Sequence, residues 1–384
     1  MNKLRRIFLD HQATCPVDER VFKVMSECLR GEAANPHSSE HSFGWEASRL
    51  VFEAQERVAA LIGADADEII FTSGATEANN LALFGRRYKK QRRVIISGIE
   101  HKCVLEAAKR LQAERGVELL TVKVDDKGLV CLNHLEKLLN GGTSVVSIIG
   151  VHNEIGTIQP LTDISKLVRS KGSSLHLDLA QGPNAIDLAG LSELAETISL
   201  SAHKMYGPVG IGCLFVSREI QSKMRPQIVG GGQQNGLRSG TVPLALASGM
   251  AEASEIARRS PHERQHLRTL IKQLWNGLND LPTNVELNGP EIADRHPGNL
   301  NVSFVGFDGR DLIAALQPNI AISSGSACTS GVEEPSYTIR AIGHSHERAS
   351  SALRFGVGRG TTEADIALTL DLMAKAIERL RVAA

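Results

Sequence analysis

Short apolar runs alternate with longer amphipathic stretches along the first two thirds of the chain. Residues 47–62 place apolar side chains at helical spacing, which predicts an amphipathic helix, and residues 103–114 are a similar case. The apolar runs that predict buried strands are residues 68–74, 92–98, 144–152, 174–180, 197–202 and 210–216. Strands that are almost continuously apolar, with helices between them, are typical of a mainly parallel sheet covered on both faces. The pattern therefore predicts an α/β fold.

The pattern changes after Ser260-Pro261. A long amphipathic segment is followed by shorter and more mixed elements, and the chain closes with a helix whose apolar residues form one stripe. We therefore expect a large α/β domain over residues 15–260. A smaller α+β domain is expected over residues 261–384, which residues 1–14 join.

Composition narrows the functional class. Lys plus Arg and Asp plus Glu are both 43, so no net charge favours nucleic acid or an anionic membrane. The apolar run Ile7–Leu9 is too short for the core of a signal peptide, and no run is long enough to span a bilayer. These features predict a cytoplasmic enzyme that binds neither nucleic acid directly nor membranes.

The six cysteines are scattered, without a C-x-x-C pair, which argues against a disulfide framework or a zinc site. Five of them have apolar or helical neighbours and are expected to be structural thiols. These five are Cys15, Cys28, Cys103, Cys131 and Cys213. Cys328 differs, because it lies in SSGSACTSG, whose small polar residues cannot build a core around it.

Polar residues follow the predicted strands, where open α/β sheets bind their ligands. Residues 72–77 form a Gly-containing turn that opens a helix, which is either an anion site or a plain helix cap. Asp178 follows the run 174–177, and an acid among apolar neighbours needs a cation. Lys204 follows the run 197–202, where it is either a solvated charge or a catalytic amine.

Histidines and amides complete the set. His101, His152 and Asn153 also follow predicted strands, although such histidines are often satisfied core or loop groups. A phosphate turn, a lysine, an acid, an imidazole and amides together are what pyridoxal phosphate requires. A metal site formed by these histidines and Asp178 is not expected, because they occur in neither of the tight spacings H-x-H and H-E-x-x-H.

The same residues lie in motifs that occur in order along almost the whole chain. The motifs are LDHQATCP, NPHSSEHSFG, TSGATEANN, EHKCVL, HNEIGTIQP, HLDLAQ, SAHKMYGPVGIG, GGGQQNGLRSGT and SSGSACTSGVEEPSY. In this the chain resembles the NifS/IscS-type cysteine desulfurases, which belong to the class V aminotransferase branch of the fold-type I pyridoxal phosphate enzymes. The resemblance implies an aspartate-aminotransferase-like fold.

The resemblance also implies roles for individual residues. Lys204 would form the Schiff base with the cofactor, Asp178 would pair with the pyridine nitrogen, and Gln181 would bond the ring hydroxyl. His101 would stack on the ring and take part in proton transfer. The phosphate would be held by Ala75, Thr76, Ser201, His203 and, from the other subunit of a homodimer, Thr241. Asn153 would contact both cofactor and substrate, and Arg354 would clamp the substrate carboxylate.

The resemblance gives Cys328 its function. The matching cysteine of the family attacks the sulfur of free L-cysteine, which leaves alanine and an enzyme persulfide. A Ser/Gly loop suits this task, because the sulfur has to travel from the site to an acceptor protein. The acceptor is left open between an iron–sulfur scaffold, a tRNA-thiolation enzyme and a DNA phosphorothioation system.

A few positions depart from the family pattern. Cys15 stands where the family usually has Thr, which raises the question of a second reactive thiol, and Leu179-Ala180 replaces Ala-Thr. The chain ends at Ala384, directly after the predicted last helix, and we expect weaker binding to an iron–sulfur scaffold than in members with a further tail. The alternative functions are a related lyase acting on selenocysteine or a cysteine sulfoxide, and a non-catalytic scaffold homologue.

Overall fold

The structure, a computed structural model, describes residues 6–31, 34–87, 93–324 and 335–383. Its strands are β1 (Ile7–Phe8), β2 (Ile69–Thr72), β3 (Arg93–Ser97), β4 (Glu118–Val122), β5 (Ser144–Ile149), β6 (Ser174–Asp178), β7 (Thr197–Ser201), β8 (Gly212–Val216), β9 (Val285–Leu287), β10 (Asn299–Phe304), β11 (Ile320–Ala321) and β12 (Ala352–Gly356).

The α-helices of this part of the chain are α1 (Glu19–Arg30), α2 (Ser42–Ile62), α3 (Ala75–Phe84), α4 (Lys102–Arg115), α5 (Leu132–Leu139), α6 (Leu161–Ser170), α7 (Arg218–Gln221), α8 (Leu244–Arg259), α9 (Glu263–Asn279), α10 (Gly309–Leu316), α11 (Tyr337–Ala341), α12 (His346–Ser350) and α13 (Glu363–Ala383). Short 3₁₀ turns lie at Ala66–Glu68, Leu191–Glu193, Ala202–Lys204 and Gln234–Gly236.

A seven-stranded sheet in the order β2-β8-β7-β6-β5-β3-β4 forms the centre of the fold. Strand β8 runs antiparallel to β7 and β2, and the other pairs are parallel. The connection from β7 to β8 contains only a 3₁₀ turn, which is too short for the crossover that a parallel pair needs. The predicted α/β architecture with a mainly parallel sheet is confirmed.

Alternate residues of the central strands enter different apolar clusters, because side chains in a strand point to opposite faces. Ile69 and Phe71 belong to the cluster that includes residues of α2 and α8, whereas Ile70 belongs to a cluster with residues of α3. Ile95 likewise belongs to the first of these clusters, whereas its neighbour Val94 belongs to a different one. Both faces of the sheet are therefore buried, as the continuous apolar runs predict.

A second core lies in the last third of the chain. A three-stranded antiparallel sheet, β12-β10-β9, packs with α9, α10 and α13, and β1 pairs in parallel with β11. The buried cluster of this part includes Ile7, Leu9 and residues from 267 to 377, while the main cluster of the first part spans residues 21 to 256. The division into two domains near residue 260 stays a prediction, which this split supports.

Candidate active site

A cavity of about 410 Å³ opens at the carboxyl ends of β5, β6 and β7, where an open α/β sheet binds its ligands. Strand β6 ends at Asp178, and β7 ends at Ser201, directly before the 3₁₀ turn that carries Lys204. Nine of the predicted site residues line this cavity: Ala75, Thr76, His101, Asn153, Asp178, Gln181, Ser201, His203 and Lys204.

The amine of Lys204 lies inside the protein and is held by backbone oxygens. Its Nζ donates to the carbonyls of Gln12 and Ala13, each at 2.6 Å. Burial lowers the pKa of Lys204 to about 8, and the nearby charge of Arg354 acts in the same direction. A substantial fraction of this amine is therefore neutral near pH 8, as a lysine that attacks a carbonyl group requires.

Asp178 is buried at the end of β6, and two donors hold its carboxylate. Asn79 Nδ2 donates to Oδ2 at 2.7 Å, and the backbone N–H of Ala180 donates to Oδ1 at 3.0 Å. Gln181 Nε2 donates a hydrogen bond to the carbonyl oxygen of Gln12 at 2.8 Å, and the same oxygen accepts a hydrogen bond from Lys204 Nζ. Gln181 and Lys204 thus share one acceptor, and both line the cavity together with Asp178.

His101 caps the N-terminus of α4 with its side chain. Its Nδ1 accepts the backbone N–H of Cys103 at 3.2 Å and lies 3.0 Å from Cys103 Sγ. The neutral ring therefore carries its proton on Nε2. The ring borders the cavity and is accessible from it. The protein around the rest of the ring removes water from it, and this burial lowers the pKa of His101.

The start of α3 offers an anion site at the wall of the cavity. The first intrahelical bond runs from the N–H of Ala78 to the carbonyl of Gly74, so the N–H groups of Ala75 and Thr76 precede it. Gly212, across from Thr72 in the sheet, lets this turn approach, because a Cβ there would lie 2.8 Å from Gly74 Cα. Free N–H groups at a helix start favour a phosphate.

His203 also lines the cavity. Its Nδ1 is 3.2 Å from Thr14 Oγ1, and burial, aided by the charge of Lys204, lowers the pKa of His203 to about 4. The ring is therefore neutral near pH 7 and offers one N–H donor rather than a positive charge.

Arg354 lies on β12, outside the residues that line the cavity, and reaches towards Asn153. Its Nη1 donates to the carbonyl of Asn153 at 3.1 Å, and its Nη2 forms a 2.6 Å ion pair with Asp10. Among the residues that the structure describes, Arg354 Nε has no partner although it is buried. This free donor is an observation that suits a carboxylate ligand.

Besides Arg354, one further predicted site residue in the described part of the chain does not line the cavity. Thr241 is exposed and does not line the cavity, an arrangement that leaves its side chain available to another subunit. Cys328 lies outside the described residues, so its role stays a prediction.

Some expectations for the cysteines need correction. Cys131 is exposed at the position directly before α5, so it is not the buried structural thiol that its apolar neighbours predict. Cys103 lines the cavity, and burial raises its pKa to about 12. Cys15 is buried, and burial raises its pKa to about 11, which argues against a second reactive thiol.

The residues that contact the site but were not predicted include Asp10, Gln12, Asn79 and Cys103. In the described part of the chain, no group of three or more His, Cys, Asp or Glu side chains could hold a metal ion. No helix found in the described residues has the length and apolar character needed to cross a membrane.

Comparison with known families identifies the family of the chain. The model of the aminotransferase class-V family matches residues 7–368. The chain belongs to that family.

Relatives and solved structures place this aminotransferase class-V protein among cysteine desulfurases. It is 43% identical over 379 residues to the cysteine desulfurase IscS of Rickettsia akari (strain Hartford), which covers 98% of this chain and 92% of the relative. A solved NifS-like protein is 33% identical, with a TM-score of 0.89 and coverage of 97% of this chain and 99% of the other. The predicted family and fold type are confirmed.

A third comparison is with a solved structure that contains cysteine. The structure described as SspA in complex with cysteine is 31% identical, with a TM-score of 0.81, and covers 93% of this chain and 100% of the other. The aminotransferase class-V family and its cysteine desulfurase members imply pyridoxal phosphate as the cofactor.

Proposed function

We propose that the protein is a cysteine desulfurase, which uses pyridoxal 5′-phosphate to convert L-cysteine into L-alanine and leaves the sulfur as a persulfide on Cys328. The observation that carries the proposal is the set of groups around one cavity: a lysine amine of lowered pKa, a buried aspartate and an open helix start. The 43% identity to a cysteine desulfurase supports it.

The residues present fit the cofactor. Lys204 offers a partly neutral amine, Asp178 offers a carboxylate for the pyridine nitrogen, and Gln181 offers an amide near both. Ala75 and Thr76 at the start of α3 would hold the phosphate with Ser201 and His203, and His101 would cover the ring. When bound, pyridoxal phosphate supplies an electron sink that weakens the bond between Cβ and sulfur of the substrate.

Arg354 and Asn153 would bind the amino acid. The unpartnered Nε–H of Arg354 can donate to the substrate carboxylate, while Asp10 and the Asn153 carbonyl hold the guanidinium in place. Because a bidentate pair needs a fixed fork of donors, this support favours binding of a carboxylate in one orientation.

Cys328 would act on the sulfur. Its thiolate attacks the substrate sulfur, the S–S bond forms as the C–S bond breaks, and the carbon receives a proton. Overall, one L-cysteine and one enzyme thiol give one L-alanine and one enzyme persulfide. The Nε2–H of His101 and the amine of Lys204 are the groups that can hold a proton beside the reacting carbon.

The proposal predicts equal amounts of two products. Incubated with L-cysteine and a thiol reductant, the protein should release alanine and sulfide in a one-to-one ratio, measured by chromatography and by a colorimetric sulfide assay. Turnover of selenocysteine or a cysteine sulfoxide without turnover of cysteine would favour the related lyase. No turnover of any of them, in protein that retains its cofactor, would favour a non-catalytic homologue.

Exposed apolar side chains support a homodimer. Phe22 and Leu29 on α1 and Phe43, Trp45 and Phe52 on α2 are large, apolar and exposed. Exposed apolar groups in such number are typical of an interaction surface. Both helices pack on α8, which directly follows the segment that carries Thr241.

An exposed residue at the rim of the cavity also supports a homodimer. Val209 lines the cavity yet is 70% exposed, so a second subunit could cover it. In the proposed dimer, Thr241 of each subunit reaches the phosphate held by the other.

Charges introduced on this surface should separate the subunits. We expect the double variant W45E/F52E to sediment as a monomer and to lose cofactor, because buried carboxylates without partners oppose association. Val382→Glu is the control, since Val382 is exposed on α13 in a different part of the chain. Analytical ultracentrifugation measures the mass of each variant. A wild type that is monomeric at micromolar concentration contradicts the proposed dimer.

A protein acceptor is the proposed destination of the sulfur, and the three acceptor classes stay open alternatives. The cytoplasm is the proposed compartment, because a reducing environment keeps Cys328 a free thiol between turnovers. Direct contact with nucleic acid or a membrane is not part of the proposal.

A further inference from the structure

We propose that Asn79 is a positioning residue for the cofactor site: its amide fixes the carboxylate of Asp178, and His176 fixes the orientation of that amide. The inference rests on the proposed function, in which Asp178 pairs with the cofactor. Asn79 lies on α3, one residue before Asn80, and is fully buried.

The hydrogen bonds around Asn79 use every polar atom of its side chain. Nδ2 donates to Asp178 Oδ2 at 2.7 Å and to Cys103 Sγ at 3.2 Å. Oδ1 lies 3.0 Å from His176 Nε2. Since an ionised carboxylate only accepts hydrogen bonds, the atom that faces Asp178 has to be the amide nitrogen.

That orientation determines the protonation of the next residue. Because Asn79 presents Oδ1 to His176, Nε2 of His176 has to carry the proton, and Nδ1 has to accept from Thr197 Oγ1, which is 3.0 Å away. Burial lowers the pKa of His176 to about 4, so the ring stays neutral near pH 7. Both neutral nitrogens are then satisfied.

The far end of the network is a buried cation. Arg86 Nη2 donates to Thr197 Oγ1 at 3.4 Å. All donors therefore point the same way, from Arg86 through Thr197, His176 and Asn79 to Asp178. Neutral groups linked in one direction polarise one another, and they fix the acid in place without adding a charge beside it.

The network also reaches His101, which is predicted to stack on the cofactor ring. Asn79 donates to Cys103 Sγ, and this sulfur lies 3.0 Å from His101 Nδ1. One asparagine thus connects Asp178 with the histidine expected to stack on the cofactor. Burial raises the pKa of Cys103, so at the cavity wall this thiol serves as a hydrogen-bonding group rather than as a nucleophile.

The first test removes the amide without changing its shape. Leucine has the branching of asparagine but no polar atom, so Asn79→Leu leaves Asp178 without its side-chain donor. We expect its affinity for pyridoxal phosphate, titrated by fluorescence on the full-length apoprotein, to fall about 10- to 100-fold, as for loss of a hydrogen bond to a charged group. Asn80→Leu is the matched control, because Asn80 donates only to the carbonyl of Thr76 at the surface.

The second test asks whether orientation, rather than packing, is responsible. His176→Gln keeps a donor for Asn79 Oδ1 and an acceptor for Thr197, whereas His176→Leu keeps neither. We expect His176→Gln to retain near wild-type affinity and His176→Leu to behave like Asn79→Leu. In the wild-type holoenzyme, ¹⁵N NMR of labelled histidine should show His176 neutral with its proton on Nε2.

The outcomes separate this inference from the proposed function. A wild type that binds no pyridoxal phosphate overturns both. If the wild type binds it and Asn79→Leu binds it equally well, only the inference fails. If His176→Gln is as weak as His176→Leu although both fold with the thermal stability of the wild type, the role is structural and the inference is wrong.

Discussion

Replacing Lys204 by alanine is expected to lower the turnover of cysteine by about 10³-fold or more and to prevent covalent attachment of the cofactor. The reason is that Lys204 supplies the only amine of lowered pKa among the described lysines that line the cavity. Borohydride reduction followed by peptide mapping measures the attachment. In the wild type the reduced cofactor should be found on Lys204, and finding it on another residue would falsify the assignment.

Lys204→Arg is the control for charge, since it keeps a cation but has no amine that can attack. It should be as inactive as Lys204→Ala. In the wild type, the rate at which the apoprotein captures pyridoxal phosphate should rise as the pH increases through about 8, because the neutral form of the amine is the one that reacts. Neither variant should show this rise.

Cys328→Ser is expected to keep the cofactor and to bind cysteine, but to carry no persulfide and to release no sulfide. A serine hydroxyl remains protonated near pH 7, whereas a thiol ionises readily, and removal of a nucleophile that acts with other groups lowers turnover by about 10³-fold or more. Mass spectrometry after incubation with cysteine measures the added sulfur on the peptide that contains residue 328.

Cys131→Ser provides the matched control, since Cys131 is exposed and does not line the cavity. It should acquire the persulfide at the wild-type rate. Normal sulfide release by Cys328→Ser would show that another thiol is the nucleophile, and Cys103 and Cys15 are poor candidates because burial raises the pKa of both.

The central strands were predictable because both of their faces are buried, which leaves continuous apolar runs in the sequence. Strand β4 has a mixed pattern, with Glu118 and Thr121 exposed, and it was not predicted. The direction of β8 was not visible either, since it depends on the length and path of the connection after Lys204. Local patterns give the elements, and the pairing depends on contacts between distant segments.

The same limit applies to the site. Asp178 and Lys204 could be found because they directly follow apolar runs. Gln12 contributes mainly a backbone oxygen, which any residue carries, so its identity gives no signal. Asn79 is followed by a second asparagine in α3, so its residue type does not single it out, and its partner Asp178 is 99 residues away along the chain. Such contacts are specified by the tertiary structure alone.

The segment from Asp10 to Cys15 touches the site at almost every position. Asp10 forms an ion pair with Arg354, and Thr14 contacts His203. The carbonyl oxygen of Gln12 accepts hydrogen bonds from Lys204 and Gln181. In a random mutagenesis library, this stretch should therefore tolerate as few substitutions as the buried strands, although it forms no helix or long strand. Directed evolution of the enzyme towards new substrates should diversify this stretch together with β12. Asp10 and Arg354 form an ion pair, so a substitution of one requires a matching substitution of the other.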